Sequence, residues 1–146
     1  MIKFTRMSSN GCEYVLADQK IEGKNIIYIS PRSDNSIYLH GSTSDSAVRC
    51  AVKFAQMEGR LTEVVETAAG LKRVFFDRET QEIGLEMDKP EKRELVMNKE
   101  LKVVKDDRGK VWVVGKAKVI AKGVINKKST LSHHEVKRAE KQRQNA

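Results

Sequence analysis

Short apolar segments separated by turn sequences fill residues 1–40, and this pattern constrains the fold more than any other feature of the chain. Residues 2–7 and 12–17 flank an Asn-Gly pair, which is the strongest short-range signal for a β-hairpin because both residues tolerate a positive φ angle. Residues 25–29 and 37–40 form a second pair of strand-like segments, separated by a polar stretch that contains a proline. The pattern predicts a four-stranded antiparallel β-meander.

A helix is predicted where the apolar spacing changes at Ala47. Apolar residues then recur at intervals of three and four, and Ser44 or Asp45 can accept hydrogen bonds from the first backbone amides of the helix. The polar side of this helix carries Arg49, Lys53, Gln56 and Arg60. Residues 61–68 continue the helical spacing, which predicts a second short helix, with a strand over residues 62–67 as the alternative.

Strand-like segments return after the helical region. A hairpin-like pair at residues 73–77 and 82–87 is followed by Asp88-Lys89-Pro90, which interrupts the pattern. Further strands are expected before and after a turn at residues 106–109, and the last of them is a long basic segment. These strands predict a small curled antiparallel sheet or barrel.

The sequence therefore predicts an α+β fold. An N-terminal antiparallel β-meander is followed by one or two helices, then by the small curled antiparallel sheet or barrel, and finally by a basic C-terminal helical tail. A serine and a glutamate in capping-box spacing predict that the tail helix begins at Ser132. We predict three parts: a near-neutral α+β part at residues 1–88, a basic β part at residues 89–128 that can belong to the same compact domain, and a basic tail at residues 129–146.

The positive charge of the chain is concentrated after residue 88. The formal net charge of the whole chain is +8 at pH 7. Residues 1–88 contain 11 Lys and Arg against 13 Asp and Glu, whereas residues 89–146 contain 17 against 7. A clustered positive potential attracts polyanions and raises their rate of encounter. The distribution of charge therefore indicates an anionic partner.

Residues 110–129, KVWVVGKAKVIAKGVINKKS, combine a strand pattern with six lysines and no acidic residue. Odd-numbered positions up to residue 121 are apolar or glycine, whereas even-numbered positions include Trp112, Lys116, Lys118 and Lys122. Alternate side chains of a strand point to opposite faces, so one face can pack inside while the other presents lysines to phosphates and a ring to bases. The alternative is that the lysines only protect a sheet edge from aggregation and that the tryptophan belongs to the core.

We predict a protein that binds DNA or RNA mainly through phosphates and with low sequence specificity, because lysine is poorly suited to bidentate readout of bases. The tail would act as an arm that becomes ordered on the polyanion. The candidate contacts are Lys110, Trp112, Lys116, Lys118, Lys122, Lys127, Lys128, Lys137, Arg138, Lys141 and Arg143. The alternative function is an adaptor or inhibitor that binds an acidic protein surface.

An enzyme acting on nucleic acid is a third hypothesis, centred on His40 beside Ser42. No third catalytic group can be identified from the sequence, so we expect no enzyme. We expect no metal and no cofactor, because the paired histidines near the C-terminus are adjacent, whereas a chelating pair on a helix is spaced i, i+4.

The cysteine pattern and the lack of long apolar runs predict a cytoplasmic protein with no membrane partner. Cys12 and Cys50 lie far apart and lack the spacing of a zinc site or a redox pair, so we expect reduced thiols. No apolar run reaches the roughly 18 residues that span a bilayer, and the N-terminal segment has no apolar core of signal-peptide length.

Overall fold

The computed structural model describes residues 2–21, 23, 25–87 and 100–125. These residues form ten strands and one helix. In chain order the elements are β1 (Ile2–Ser9), β2 (Cys12–Ala17), β3 (Ile26–Ser33), β4 (Ser36–His40), α1 (Asp45–Met57), β5 (Val64–Thr67), β6 (Gly70–Phe76), β7 (Glu82–Glu86), β8 (Lys102–Lys105), β9 (Val111–Lys116) and β10 (Lys118–Ile125).

All ten strands belong to one mixed sheet, in the hydrogen-bonded order β10-β1-β2-β3-β4-β5-β6-β7-β9-β8. The pairs β2–β3 and β4–β5 are parallel, and the other neighbouring pairs are antiparallel. The sheet is not closed into a ring. However, β9 and β10 are separated in the chain only by Ala117 and lie towards opposite ends of the order. The sheet is therefore curled so strongly that the continuous segment β9–Ala117–β10 contributes strands at or near both of its ends.

The helix α1 packs against the inner face of the curled sheet. Ser44 caps its start, because the Oγ atom accepts a hydrogen bond from the amide of Ala47 at 3.1 Å. The helix contacts β1, β2 and β3 on one side of the curl and β6 and β7 on the other. The strand residues buried in this core include Met7, Leu16, Ile27, Ile37, Leu39, Val65, Val74, Ile83 and Leu85. No helix within the described residues is long and apolar enough to cross a membrane.

A second, smaller apolar cluster lies on the outer face, which is the face turned away from α1. Side chains alternate along a strand, so Phe4 and Val15 lie on the opposite face from their buried neighbours in the helix-side core. Ile21, in the connection between β2 and β3, packs against them. Parallel neighbours need a crossover connection. The segment between β2 and β3 is the crossover for that parallel pair, and the segment that contains α1 is the crossover for β4 and β5.

The predicted fold class is wrong, because one large mixed sheet and a single helix account for the described residues. The N-terminal strands do not form a meander, since β2 and β3 are parallel. The basic strands do not form a separate small sheet, since β10 pairs with β1 and β9 pairs with β7. The second helix predicted over residues 61–68 is also wrong: β5 occupies residues 64–67, as the alternative proposed. The predicted tail helix lies outside the described residues.

Elements specified by neighbouring residues are confirmed. Asn10 and Gly11 adopt φ angles of 52° and 79° in the turn between β1 and β2, as the hairpin prediction requires. The β3–β4 and β6–β7 hairpins are antiparallel as predicted. The turn at residues 106–109 joins β8 to β9. The helix predicted from the capping residue and the apolar spacing is α1.

Candidate functional site

Trp112 and Lys116 lie on the outer face of the sheet. They pair with Glu86 and Glu82 of β7, respectively. Cross-strand partners share a face, and neighbours along a strand alternate. Because Ile83 is fully buried in the helix-side core, the adjacent Glu82 faces outward together with its partner Lys116. Trp112 lies four residues earlier on the same strand and therefore has the same orientation.

Lys118 shares this outer face, but Lys122 does not. Lys118 pairs with Ser8, on the outer side of β1. The register of β1 with β10 then shifts by one residue, which leaves Ile120 as a β-bulge. Beyond the bulge, Lys122 pairs with the buried Thr5, which lies on the side of β1 that faces the core. The sequence prediction of one lysine-rich face is thus correct for Lys118 and wrong for Lys122.

A cleft of about 380 Å³ opens beside the link between β9 and β10. Here the hydroxyl of Ser9, at the end of β1, donates a hydrogen bond to the carbonyl oxygen of Lys116 at 2.9 Å. The cleft therefore lies where the ends of the sheet meet, between the end of β1 and the start of β8. We call it the junction cleft, and it is lined by Ser8, Ser9, Asn10, Gly11, Glu82, Glu100, Leu101, Lys102, Val114, Gly115, Lys116 and Lys118.

Three lysines line the junction cleft, and two of them have no acidic partner among the described residues. Lys102 forms an ion pair through Nζ with Glu82 Oε2 at 3.0 Å. Lys116 and Lys118 are exposed and form no salt bridge with a described residue. The buried Oδ1 atom of Asn10 has no hydrogen-bond partner within the described part of the chain. The cleft thus offers two ammonium groups that form no ion pair with a described residue, beside the carboxylates of Glu82 and Glu100, and one acceptor. This arrangement suits an anionic group that carries a nearby donor.

Trp112 and Lys110 form a separate group further along β9. The indole Nε1 of Trp112 donates a hydrogen bond to Asp106 Oδ2 at 3.0 Å, and its ring meets that of Phe75 edge-on, with centroids 5.1 Å apart. The bond from Trp112 is the main reason that the pKa of Asp106 is below its usual range. Lys110 pairs with Glu86 at 2.9 Å. The half-buried indole lies about 13 Å from the end of β9 at Lys116, at roughly 3.3 Å per residue, so its predicted stacking role would serve a different part of a ligand.

The other predicted contacts lie outside the described residues. They are Lys127, Lys128, Lys137, Arg138, Lys141 and Arg143. In contrast, no sequence pattern indicated the junction cleft, and Lys102 and Asn10 were not predicted as site residues. The cleft is built by pairing between β1 and β10, which are distant in the chain, so no local pattern could have identified it.

His40 contacts a hydroxyl group, although not the one expected from the sequence. Its Nε2 atom lies 2.8 Å from the Oγ atom of Ser30 rather than near Ser42. Among the described residues no carboxylate is hydrogen-bonded to the ring, so a Ser-His-acid arrangement is not assembled there. The described part of the chain also contains no group of three or more His, Cys, Asp or Glu side chains that could hold a metal ion.

The chain matches no protein-family model, and no curated protein shows significant sequence similarity to it. Its function is therefore inferred from the arrangement of its own residues. The junction cleft, with Lys116 and Lys118 at its edge, is the strongest candidate for a binding site.

Proposed function

We propose that the protein binds nucleic acid through the outer face of β9 and β10, with the junction cleft at the centre of the interface. The observation that carries this proposal is the pair Lys116 and Lys118, which are exposed on one face and have no acidic partner among the described residues. Lysine on the edge strand β10 can also protect that edge from aggregation, but Lys116 lies on β9, which is paired on both sides. Lysines that neutralise phosphates release condensed counterions, which is a favourable contribution at low salt.

Further cations would extend the contact beyond the cleft. Lys102 lines the same cleft, whereas Lys122 lies on the other face of β10 and is not part of this contact. The basic residues between 127 and 143 would add an arm that becomes ordered on the nucleic acid. Since lysines contact phosphates rather than base edges, we expect DNA and RNA to bind with low sequence specificity.

A salt titration with paired variants tests the proposal. The affinity for a mixed-sequence DNA and RNA strand would be measured against salt for the wild type and for Lys116→Gln/Lys118→Gln. We expect the slope of log affinity against log salt to fall by about 0.7 to 0.9 for each lysine removed. The matched control is Lys53→Gln/Lys72→Gln, which removes the same charge from lysines that already contact Gln81 and Asp45.

The control separates a local contact from a general effect of net charge. If both double variants lower the affinity and the slope equally, the junction cleft is not the contact site. If the wild type binds neither strand at low salt, the protein is not a nucleic-acid-binding protein.

A specific observation also supports the adaptor or inhibitor hypothesis. β10 exposes apolar side chains beside its lysines: Val119 is 38%, Ile120 is 41% and Val124 is 39% exposed. Phosphates do not require apolar contacts, whereas an acidic protein surface with an apolar centre would use them. Val119→Ser/Ile120→Ser should leave the affinity for nucleic acid unchanged, but it should weaken the complex with an acidic protein at least tenfold, since buried aliphatic side chains contribute about 1.5–3 kcal/mol each.

We further propose that the protein is cytoplasmic and acts without catalysis. Cys12 is exposed, Cys50 is buried, and both are free thiols, which agrees with a reducing compartment. Fractionation of cells that express the protein would test the location. Recovery only in an oxidising compartment would contradict it.

A further inference from the structure

Three planar side chains form a continuous patch on the outer face of β3 and β4. They are Tyr28, Tyr38 and His40, and we call them the aromatic platform. Tyr28 stacks on His40 with ring centroids 4.2 Å apart and 4° between the planes. The ring of Tyr38 lies 4.6 Å from that of His40 at 47°. Their strand neighbours Ile27 and Leu39 are buried in the helix-side core, so the platform faces away from α1.

The aromatic platform borders a cleft of about 690 Å³ that also contains cationic and hydroxyl groups. Lys20, Ser42 and Thr43 line this cleft, and no carboxylate belongs to its described lining. The guanidinium of Arg32 lies over the ring of Tyr38 at 4.9 Å from the centroid, and it also pairs with Glu66 at 3.6 Å. Ring faces next to cations are the combination with which proteins bind single-stranded nucleic acid, since bases stack on rings while phosphates face the charges.

The surroundings of His40 favour its uncharged form, which suits a stacking role. Burial lowers its pKa below the usual 6.5, and the positive charges of Arg32 and Lys20 lower it further. The hydrogen bond to Ser30 fixes the ring in its position against Tyr28. The platform therefore presents a preformed aromatic surface, and its rings do not have to be immobilised when a ligand binds.

We propose that the aromatic platform binds unpaired bases of a single-stranded nucleic acid whose phosphates run to the junction cleft. This inference rests on the proposed function and specifies its substrate as single-stranded. In a duplex the bases are stacked on each other, and their faces are not available to protein rings.

The two surfaces lie within reach of one strand. Lys118 and Tyr28 are on the same outer face, with only β1 and β2 between β10 and β3. From strand spacings of about 4.8 Å and the register along the strands, the two residues are on the order of 20 Å apart. Several nucleotides span this distance, which lies within the roughly 4–16 nucleotides that small sheet-based modules cover.

Two probes with the same charge test the inference. One is an oligothymidine of about twelve nucleotides, and the other is an abasic strand of the same length, which has phosphates but no bases. We expect the wild type to bind the oligothymidine at least tenfold more tightly. Tyr28→Leu and Tyr38→Leu should each lower that affinity by about 5- to 100-fold, in line with the contribution of base stacking on one ring, and leave the affinity for the abasic strand unchanged.

The matched control is Tyr14→Leu, which removes a tyrosine from the opposite face of the sheet, where it packs against the helix-side core. It should not alter the ratio of the two affinities. The thermal unfolding midpoint of each variant would show whether it folds. If a variant does not fold, a second experiment takes the place of its binding measurement: a bromouridine strand is photo-crosslinked to the wild type. We expect the crosslinks at Tyr28, Tyr38 or His40.

The outcomes distinguish this inference from the proposed function. Equal affinity of the wild type for both strands, together with a steep salt dependence, would overturn the inference and support phosphate binding alone. A preference for bases that survives both tyrosine substitutions, or crosslinks confined to Trp112, would also overturn the inference. Failure to bind either strand would overturn both proposals.

Discussion

Arg49 of α1 lies directly behind Gly115 of β9: its Nε atom is 3.4 Å from the position that a Cβ atom on Gly115 would occupy. Arg49 is 1% exposed, and its Nε and Nη2 atoms have no hydrogen-bond partner among the residues that the structure describes. Burial lowers the pKa of this guanidinium. The charge of Asp45 offsets part of this effect, but a buried charge with unsatisfied donors costs free energy, so we expect the guanidinium to lower the stability of the folded chain.

Replacing Arg49 by methionine should therefore stabilise the protein. Methionine fills a similar volume without a charge, and we expect the free energy of unfolding to rise by about 1–3 kcal/mol. Urea denaturation would measure this change. Lys53→Met, one turn further along α1, is the control and should change the stability by less than about 0.5 kcal/mol. A less stable Arg49→Met would show that the guanidinium makes a favourable interaction in solution.

Gly115→Ala should destabilise the protein, because the added methyl group has no space. Its Cβ atom would lie 2.6 Å from Cδ2 of Leu101 and 3.4 Å from the Arg49 guanidinium. Overpacking of this kind costs about 1–3 kcal/mol. Leu101→Ala removes the nearest obstacle, so the cost of Gly115→Ala should be smaller in the Leu101→Ala background. Equal costs in both backgrounds, measured by urea denaturation, would contradict the packing at this position.

The contribution of Cys50 to stability should disappear at high pH. Burial raises the pKa of this thiol from 9.0 to about 12, so the folded state retains a proton that the unfolded state loses. The stabilisation is fully present below pH 9.0 and should fall by about 1.4 kcal/mol for each pH unit between the two values. The measurement is the difference in free energy of unfolding between wild type and Cys50→Ala against pH. A difference that stays constant up to pH 11 would refute the prediction.

Glu82→Gln should strengthen binding of nucleic acid. Glu82 neutralises Lys102 within the junction cleft through an ion pair of 3.0 Å. Removing the carboxylate releases a third cation for phosphates, and we expect roughly threefold tighter binding at low salt with a steeper salt slope. Asp45→Asn, which breaks the Lys72–Asp45 pair at the start of α1 instead, is the control. Weaker binding by Glu82→Gln would place the nucleic acid elsewhere.

The sequence was sufficient for elements that depend on neighbouring residues. The Asn10-Gly11 turn needs only two residues that tolerate positive φ, and the start of α1 needs only Ser44 to accept a hydrogen bond from a nearby amide. The pairings that shape the sheet are different, because they join segments that are far apart. Period-two alternation is the same for parallel and antiparallel neighbours, so it could not predict that β2 and β3 run in the same direction.

The placement of Arg49 and Lys122 shows how tertiary structure changes local patterns. Helical periodicity assigned Arg49 to a solvent-facing side, which assumes that a helix is covered on one side only. The sheet curls around α1, so β9 also covers that side. For Lys122, strict alternation was interrupted by the bulge at Ile120, and a bulge has no reliable signal in a single sequence.

The pairing of β1 with β10 has a consequence for the order in which the protein folds. It joins Ile2 to Ile125, so β1 is synthesised more than 100 residues before the strand with which it pairs. Contacts between such distant segments slow folding, and the open edge of β1 can associate with other chains in the meantime. Because β10 begins at Lys118, the strand that pairs with the edge of β1 also supplies the proposed binding surface, so we expect this surface to form only once these two distant segments have paired.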